Sequence, residues 1–158
     1  MKTTVVIICL LVALALVWLF IQGYLSRSGK AAGLDAGHLA SCPDKPNCVC
    51  SEYAGDQDAF ISPVDLEGSS RAVVWPRIKQ VIVDMGGVVE KEKDGYLAAT
   101  FKSPVFGFVD DFEVRFDKTE HSLQLRSASR VGYSDFGVNR KRVEAFKKAL
   151  AQPLLGNE

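Results

Sequence analysis

An uninterrupted apolar run near the N-terminus constrains this chain more than any other feature. Val5 to Ile21 reads VVIICLLVALALVWLFI, without a charged residue. As a helix these residues span roughly 26 Å, and Thr3, Thr4 and Gln22 extend them toward the roughly 30 Å hydrocarbon layer of a bilayer. Trp18 and Tyr24 stand near one end, where amphipathic rings favour the interface. A cleaved signal peptide has a shorter apolar region followed by a small-x-small site, for which Ser26-Arg27-Ser28 is a poor substitute. A lipoprotein needs its acylated Cys just after the apolar stretch, whereas Cys9 lies inside it. The run therefore predicts an uncleaved single-span anchor over residues 1–24. Its flanks, Lys2 before and Arg27 and Lys30 after, leave the positive-inside count nearly balanced.

Residues 25–41, LSRSGKAAGLDAGHLAS, are small and polar and read as a tether. Residues 42–152 then form a single domain. It opens on Ser41-Cys42-Pro43-Asp44-Lys45-Pro46-Asn47-Cys48-Val49-Cys50-Ser51, whose prolines, Asp and Asn predict a tight loop. Such a loop can bring Cys42 and Cys48 within disulfide range, and closing so short a ring is worth about 2 kcal/mol. Cys50 is left over. A Cys48–Cys50 bond would enclose one residue under strain, so Cys50 pairs between chains or stays free and buried. His38, Cys42, Cys48 and Cys50 also spell H-x₃-C-x₅-C-x-C, a soft ligand set that suits zinc or copper(I). The spacing matches no standard zinc pattern, and an oxidising compartment works against free thiolates. The expectation is a Cys42–Cys48 disulfide, with no metal and no cofactor. The disulfide also settles orientation: an inner-membrane, single-pass protein with its C-terminal domain in a periplasm-like space.

Charge excludes one large class of partner. The 158 residues carry 19 basic and 19 acidic side chains. Residues 1–30 hold Lys2, Arg27 and Lys30 and no acid, so the remainder has 16 basic (19 less these 3) against 19 acidic, a net of −3. That balance argues against a nucleic-acid binder, which presents a broadly basic face to phosphates.

Periodicity predicts an α+β domain. Ser69 or Ser70 caps a first helix running to about Met85, with Val74, Trp75, Ile78, Val81 and Ile82 on one face. Pro76 suits only a first turn, placing the helix start close to Val74, and Gly86-Gly87 ends it. Val88–Lys93 and Tyr96–Ser103 predict a hairpin turned at Asp94-Gly95. Asp111 to Asp117 alternates Phe112, Val114 and Phe116 against Asp111, Glu113 and Arg115. Leu123 to Arg130 alternates Leu123, Leu125, Ser127 and Ser129 against Gln124, Arg126, Ala128 and Arg130. A last helix runs from about Val138 to Ala151 on Val143, Phe146 and Leu150, with Pro153 after its end. The predicted architecture is a small antiparallel sheet covered on one face by two helices, preceded by the membrane helix.

Three stretches carry a resemblance: CPDKPNC followed by Val49, FGFVDD at 106–111, and RSASRVGYSDFGVNRKRVE at 126–144. They resemble the bacterial and plastid family catalogued as domain of unknown function 1499, from about Ser41 to Leu150. Ser stands at the place of Cys50 in that family, which implies that Cys42 and Cys48 are the pair. The resemblance implies an envelope or plastid setting and no activity, because the family has none assigned.

Residues 126–148 hold Arg126, Arg130, Arg140, Lys141, Arg142, Lys147 and Lys148 against Asp135 and Glu144, a local +5. Arg126 and Arg130 share one sheet face about 7 Å apart, and guanidinium groups match carboxylate or phosphate in bidentate fashion. If Asp110 and Asp111 take up one Arg, the other is free for an anion. The scaffold alternative reads the same residues as braces. Asp–Arg pairs pin the sheet, Ser127 and Ser129 satisfy buried backbone groups, Asp135 caps the last helix, and Asn139 fixes the turn before it. An enzyme is less supported. No His base stands near Ser127 or Ser129, His121 falls in the solvated turn Lys118–His121, and Asp110 and Asp111 point to opposite faces. No phosphate loop, zinc-protease helix or dinucleotide glycine set occurs. The favoured reading is a binding module for an anionic or lipid-like ligand, with Phe101, Phe106, Phe108 and Tyr133 as apolar walls and Arg126 or Arg130 at the head. The alternative is a domain that docks another envelope protein, marked by an exposed apolar patch without a cavity.

Overall fold

The computed structural model describes residues 1–66, 70–119 and 121–152. Ser69 and Pro153, expected at helix ends, lie outside the described residues, as does Glu120 of the His121 turn. The N-terminal run forms α1 (Lys2–Ser26), a helix long and apolar enough to cross a membrane by length and composition. Four short strands follow: β1 (Leu34–Asp35), β2 (His38–Leu39), β3 (Cys48–Cys50) and β4 (Val64–Asp65). Then come α2 (Arg71–Asp84), β5 (Val88–Lys93), β6 (Tyr96–Lys102), β7 (Val109–Asp117), β8 (Ser122–Ser129) and α3 (Val138–Ala151).

The main sheet is antiparallel in the order β3-β8-β7-β6-β5, with β4 also pairing β8. The β5–β6 hairpin turns at Asp94 (φ 48°) and Gly95 (φ 84°), the left-handed pair that matches strand twist. α2 and α3 cover one face. Ile78 and Ile82 of α2 and Val143 and Phe146 of α3 are fully buried against Leu97, Ala99, Phe112, Val114, Leu123 and Leu125. Phe112 lies 5.0 Å from Phe146 and 5.9 Å from Phe101 between ring centroids. Each fully buried side chain of this size contributes about 1.5–3 kcal/mol. Arg77 of α2 donates to the carbonyls of Ala149, Leu150 and Gln152, tying the helices together at the end of α3.

The structure corrects two expectations. α2 starts at Arg71, so Pro76 lies inside it beyond the first turn. Proline there removes the one backbone bond that would run to Ala72 and leaves the rest of the helix in place. Of the expected tether, 25–41, residues 25 and 26 end α1, and residues 27–41 are not free. They fold back as a strap over the sheet face opposite the helices, with β1 paired to β2 and Leu39 fully buried. The sheet is therefore covered on both faces. Gly29 lets the strap lie close, since a Cβ there would sit 2.8 Å from the Arg130 side chain. The second face carries charge as well as apolar groups, which no local hydrophobic pattern reveals.

Candidate functional site

The strapped face holds the predicted arginines, each with a partner. In register across the sheet run Cys50, Arg126, Glu113 and Ala98. Arg126 Nη1 donates to Glu113 Oε2 at 2.7 Å, and the Glu113 carboxylate is fully buried. Its other oxygen accepts from Tyr96 Oη at 2.6 Å and from the Gly33 N–H of the strap at 2.7 Å. Burial, with the Glu113 carboxylate beside it, pushes the Tyr96 hydroxyl well above its usual range. Arg130 makes a two-pronged bond to Asp111 through Nε and Nη2. Arg115 bridges Glu52 and Asp117.

On the helix-covered face Asp110 accepts from Arg142 Nη2 at 2.7 Å. Arg142 also reaches Ser127 and Asn139, and its guanidinium lies 4.8 Å from the Phe101 ring. Ser127 Oγ donates to Asn139 Oδ1, while Asn139 Nδ2 donates to Ser129 Oγ and to the Asn47 carbonyl. Asp135 accepts the Gly137 and Asn139 N–H groups at the start of α3. Arg140 donates to the Asp58 and Phe60 carbonyls, holding the loop before β4 to α3.

Cys42 and Cys48 form a disulfide with Cα atoms 5.6 Å apart. Cys50 is free and buried, and desolvation raises its thiol pKa. His38 pairs with Glu52, Cys42 and Cys48 are spent on the disulfide, and among the described residues no group of His, Cys, Asp and Glu side chains is placed to hold a metal ion.

The predicted ligand set is divided by the fold. Arg126 and Arg130 share a face but both are engaged by carboxylates, Phe101 belongs to the core under the helices, and Phe106 packs on α1. Asp110 and Asp111, on opposite faces, hold different arginines. Phe108 and Tyr133 meet elsewhere, at the junction of α1 with the domain.

That junction is tightly built. Gly23 is buried, and a Cβ there would stand 2.0 Å from the Phe106 carbonyl oxygen. Only glycine permits so close an approach. Ser26, 1 % exposed, donates to the Gly23 carbonyl at 2.6 Å and accepts the Val109 N–H at 3.0 Å. Arg130 Nη1 donates to the carbonyls of Ser26 and Arg27 at the end of the helix, where a cation is favoured. Phe20, Phe106 and Phe108 stack edge to face in series at 5.1 and 6.1 Å.

Beside this contact lies an apolar cavity of about 360 Å³. α1 supplies Trp18, Leu19 and Gln22; the turn into β7 and the start of that strand supply Ser103, Phe108, Val109 and Asp110; residues 129–138 supply the rest, including Val131, Tyr133, Phe136 and Val138. Its acidic lining residues are already used, Asp110 by Arg142 and Asp135 by the α3 cap. Phe136 is 90 % exposed at φ 55°, an unusual backbone state for a bulky residue, and Tyr133 is 71 % exposed. Such strain concentrates where a segment has a binding role. Sequence reasoning assigned Trp18 and Leu19 to the membrane alone and passed over Phe136 and Val138. The aromatic residue within the polar, turn-forming segment Ser134-Asp135-Phe136-Gly137 before the last helix was the available signal.

No curated protein matches the chain, and no solved structure does. The model of the family described as "Protein of unknown function (DUF1499)" matches residues 38–150, and the chain belongs to that family.

Proposed function

We propose that this protein is a membrane-anchored binding module that holds the apolar part of a lipid-like ligand in the cavity at the junction of α1 and the domain. The observation that carries the reading is the shared wall: Trp18, Leu19 and Gln22 of the apolar helix face Phe108, Tyr133, Phe136 and Val138 of the domain. The apolar run ends at Ile21, so the cavity lies at the depth where hydrocarbon gives way to headgroups. An apolar chain can pass from bilayer to cavity without crossing water, and the exposed rings of Tyr133 and Phe136 suit the same interfacial level. With both carboxylates engaged and no cation lining it, the cavity suits an apolar chain rather than an anionic head. The disulfide-closed loop supports an extracytoplasmic, periplasm-like location for the domain.

The test uses the full chain in nanodiscs containing a phospholipid with a photoactivatable acyl chain. Crosslinks are expected on 103–109 and 129–138 as well as on α1, and Val131→Trp, which fills the cavity, should abolish those on the domain. Crosslinks confined to α1 in the parent chain would overturn the reading.

A further inference from the structure

We propose that a second cleft, on the strapped side of the anchor's end, is a binding site for a phosphate group. It has a volume of about 490 Å³ and opens between residues 27–34 and the sheet edge at β5 and β6. Arg27, Lys30, Lys91 and Arg130 line it, against Glu90 and Asp111. Arg130 is engaged by Asp111, and Glu90 accepts from Thr100 Oγ1 at 3.2 Å. Arg27, Lys30 and Lys91 make no ion pair among the described residues. Four cations against two carboxylates leave the cleft at +2, in a chain whose formal net charge is zero.

The placement of Lys91 is independent of that count. The β5–β6 register runs Val89 opposite Ala99 and then Lys91 opposite Ala98, so Glu90 is the extra residue of a bulge. Strict alternation would put Lys91 on the same side as Val89, which packs on the core beneath the helices. The bulge turns it to the other face, where its ammonium lies 5.9 Å from the Tyr96 ring centroid in the cleft wall. Bulges recur where a strand re-aims a side chain at a site. Arg27, stacked on Tyr24, follows directly on the last helical residue, Ser26, and Lys30 stands four residues after it. A span ending there sets the cleft at headgroup level. The Arg27 guanidinium lies at the margin, over Tyr24 and beside Gly107, so the ammonium groups of Lys30 and Lys91 are the donors offered to a multiply charged oxyanion. The ligand chemistry is a phosphate group, carried by a lipid headgroup or free in solution. These residues are separate from those of the apolar cavity, so the two proposals succeed or fail independently.

The full chain in detergent is titrated with phosphatidylglycerol by native mass spectrometry, and separately with inorganic phosphate by calorimetry. The parent chain is compared with Lys30→Gln/Lys91→Gln, whose side chains are both exposed. Unfolding temperatures of the two proteins confirm that the fold is retained. The expected result is an affinity lower in the variant by roughly fivefold for each lysine removed. Binding of phosphatidylglycerol alone assigns the lipid headgroup; binding of inorganic phosphate, with or without the lipid, assigns any accessible phosphate. Absence of binding to both probes, or equal affinity of parent and variant, overturns the proposal.

Discussion

Glu113 shows at the scale of one residue how this protein tolerates charge inside a small fold. A buried carboxylate is stable only when its lone pairs are met, and here Arg126, Tyr96 and the Gly33 N–H meet them. Removing one partner strands the other. Arg126→Met should lower stability by about 3–5 kcal/mol in urea unfolding, whereas a loss under about 1 kcal/mol would mean the pair is not formed. Tyr96 gives the pH dependence. Its hydroxyl is held neutral in the folded chain by burial and by Glu113, while in the unfolded chain it ionises near pH 10. Above that pH the unfolded state binds fewer protons, so stability should be complete below about pH 10 and fall as pH rises further. Thermal unfolding across the alkaline range should show this slope in the parent protein and a shallower one in Tyr96→Phe. Cys50, by contrast, is buried as an ordinary core thiol with its pKa raised, and burial of that kind makes a cysteine inert.

Among the elements, α1 has the most unexpected role. Periodicity describes it only as an apolar cylinder, yet its last turn is a built part of the domain through Gly23, Ser26 and the carbonyls that Arg130 caps. Gly23→Leu should push the helix off the Phe106 turn. Hydrogen exchange at the Val109 amide, which Ser26 Oγ now accepts, should speed up by at least tenfold. Unchanged exchange would show that the helix end hangs free of the sheet. The strap behaves similarly: its sequence is that of a linker, and its fold is that of a cover, because backbone N–H groups and small side chains can lie over charged residues that a bulky apolar segment would strand. The strands and both domain helices, in contrast, were legible from alternation and 3.6-residue spacing, and β5, β6, β7, β8, α2 and α3 stand within a few residues of their predicted bounds.

For the whole molecule, the contacts of Gly23, Ser26 and Arg130 join the end of the helix to the domain, and the apolar cavity and the basic cleft both take lining residues from that end of the chain. Topology is therefore the largest-scale prediction. A phosphatase reporter fused after residue 158, active only when exported, should be active, and a cytoplasmic reporter at the same place should be silent. The reverse pattern would remove the extracytoplasmic location and with it the setting in which the Cys42–Cys48 bond forms. What the residues determined unaided were the apolar helix, the disulfide loop, the α+β class and the parity of each long strand, since each depends on neighbours a few positions away. Tertiary structure alone decided which arginines were already spent on carboxylates, that residues 27–41 cover a face, and where cavities open. Those outcomes rest on contacts such as Gly33 with Glu113, 80 residues apart, and Arg130 with Ser26, 104 apart, and local spacing carries no information about distances of that kind.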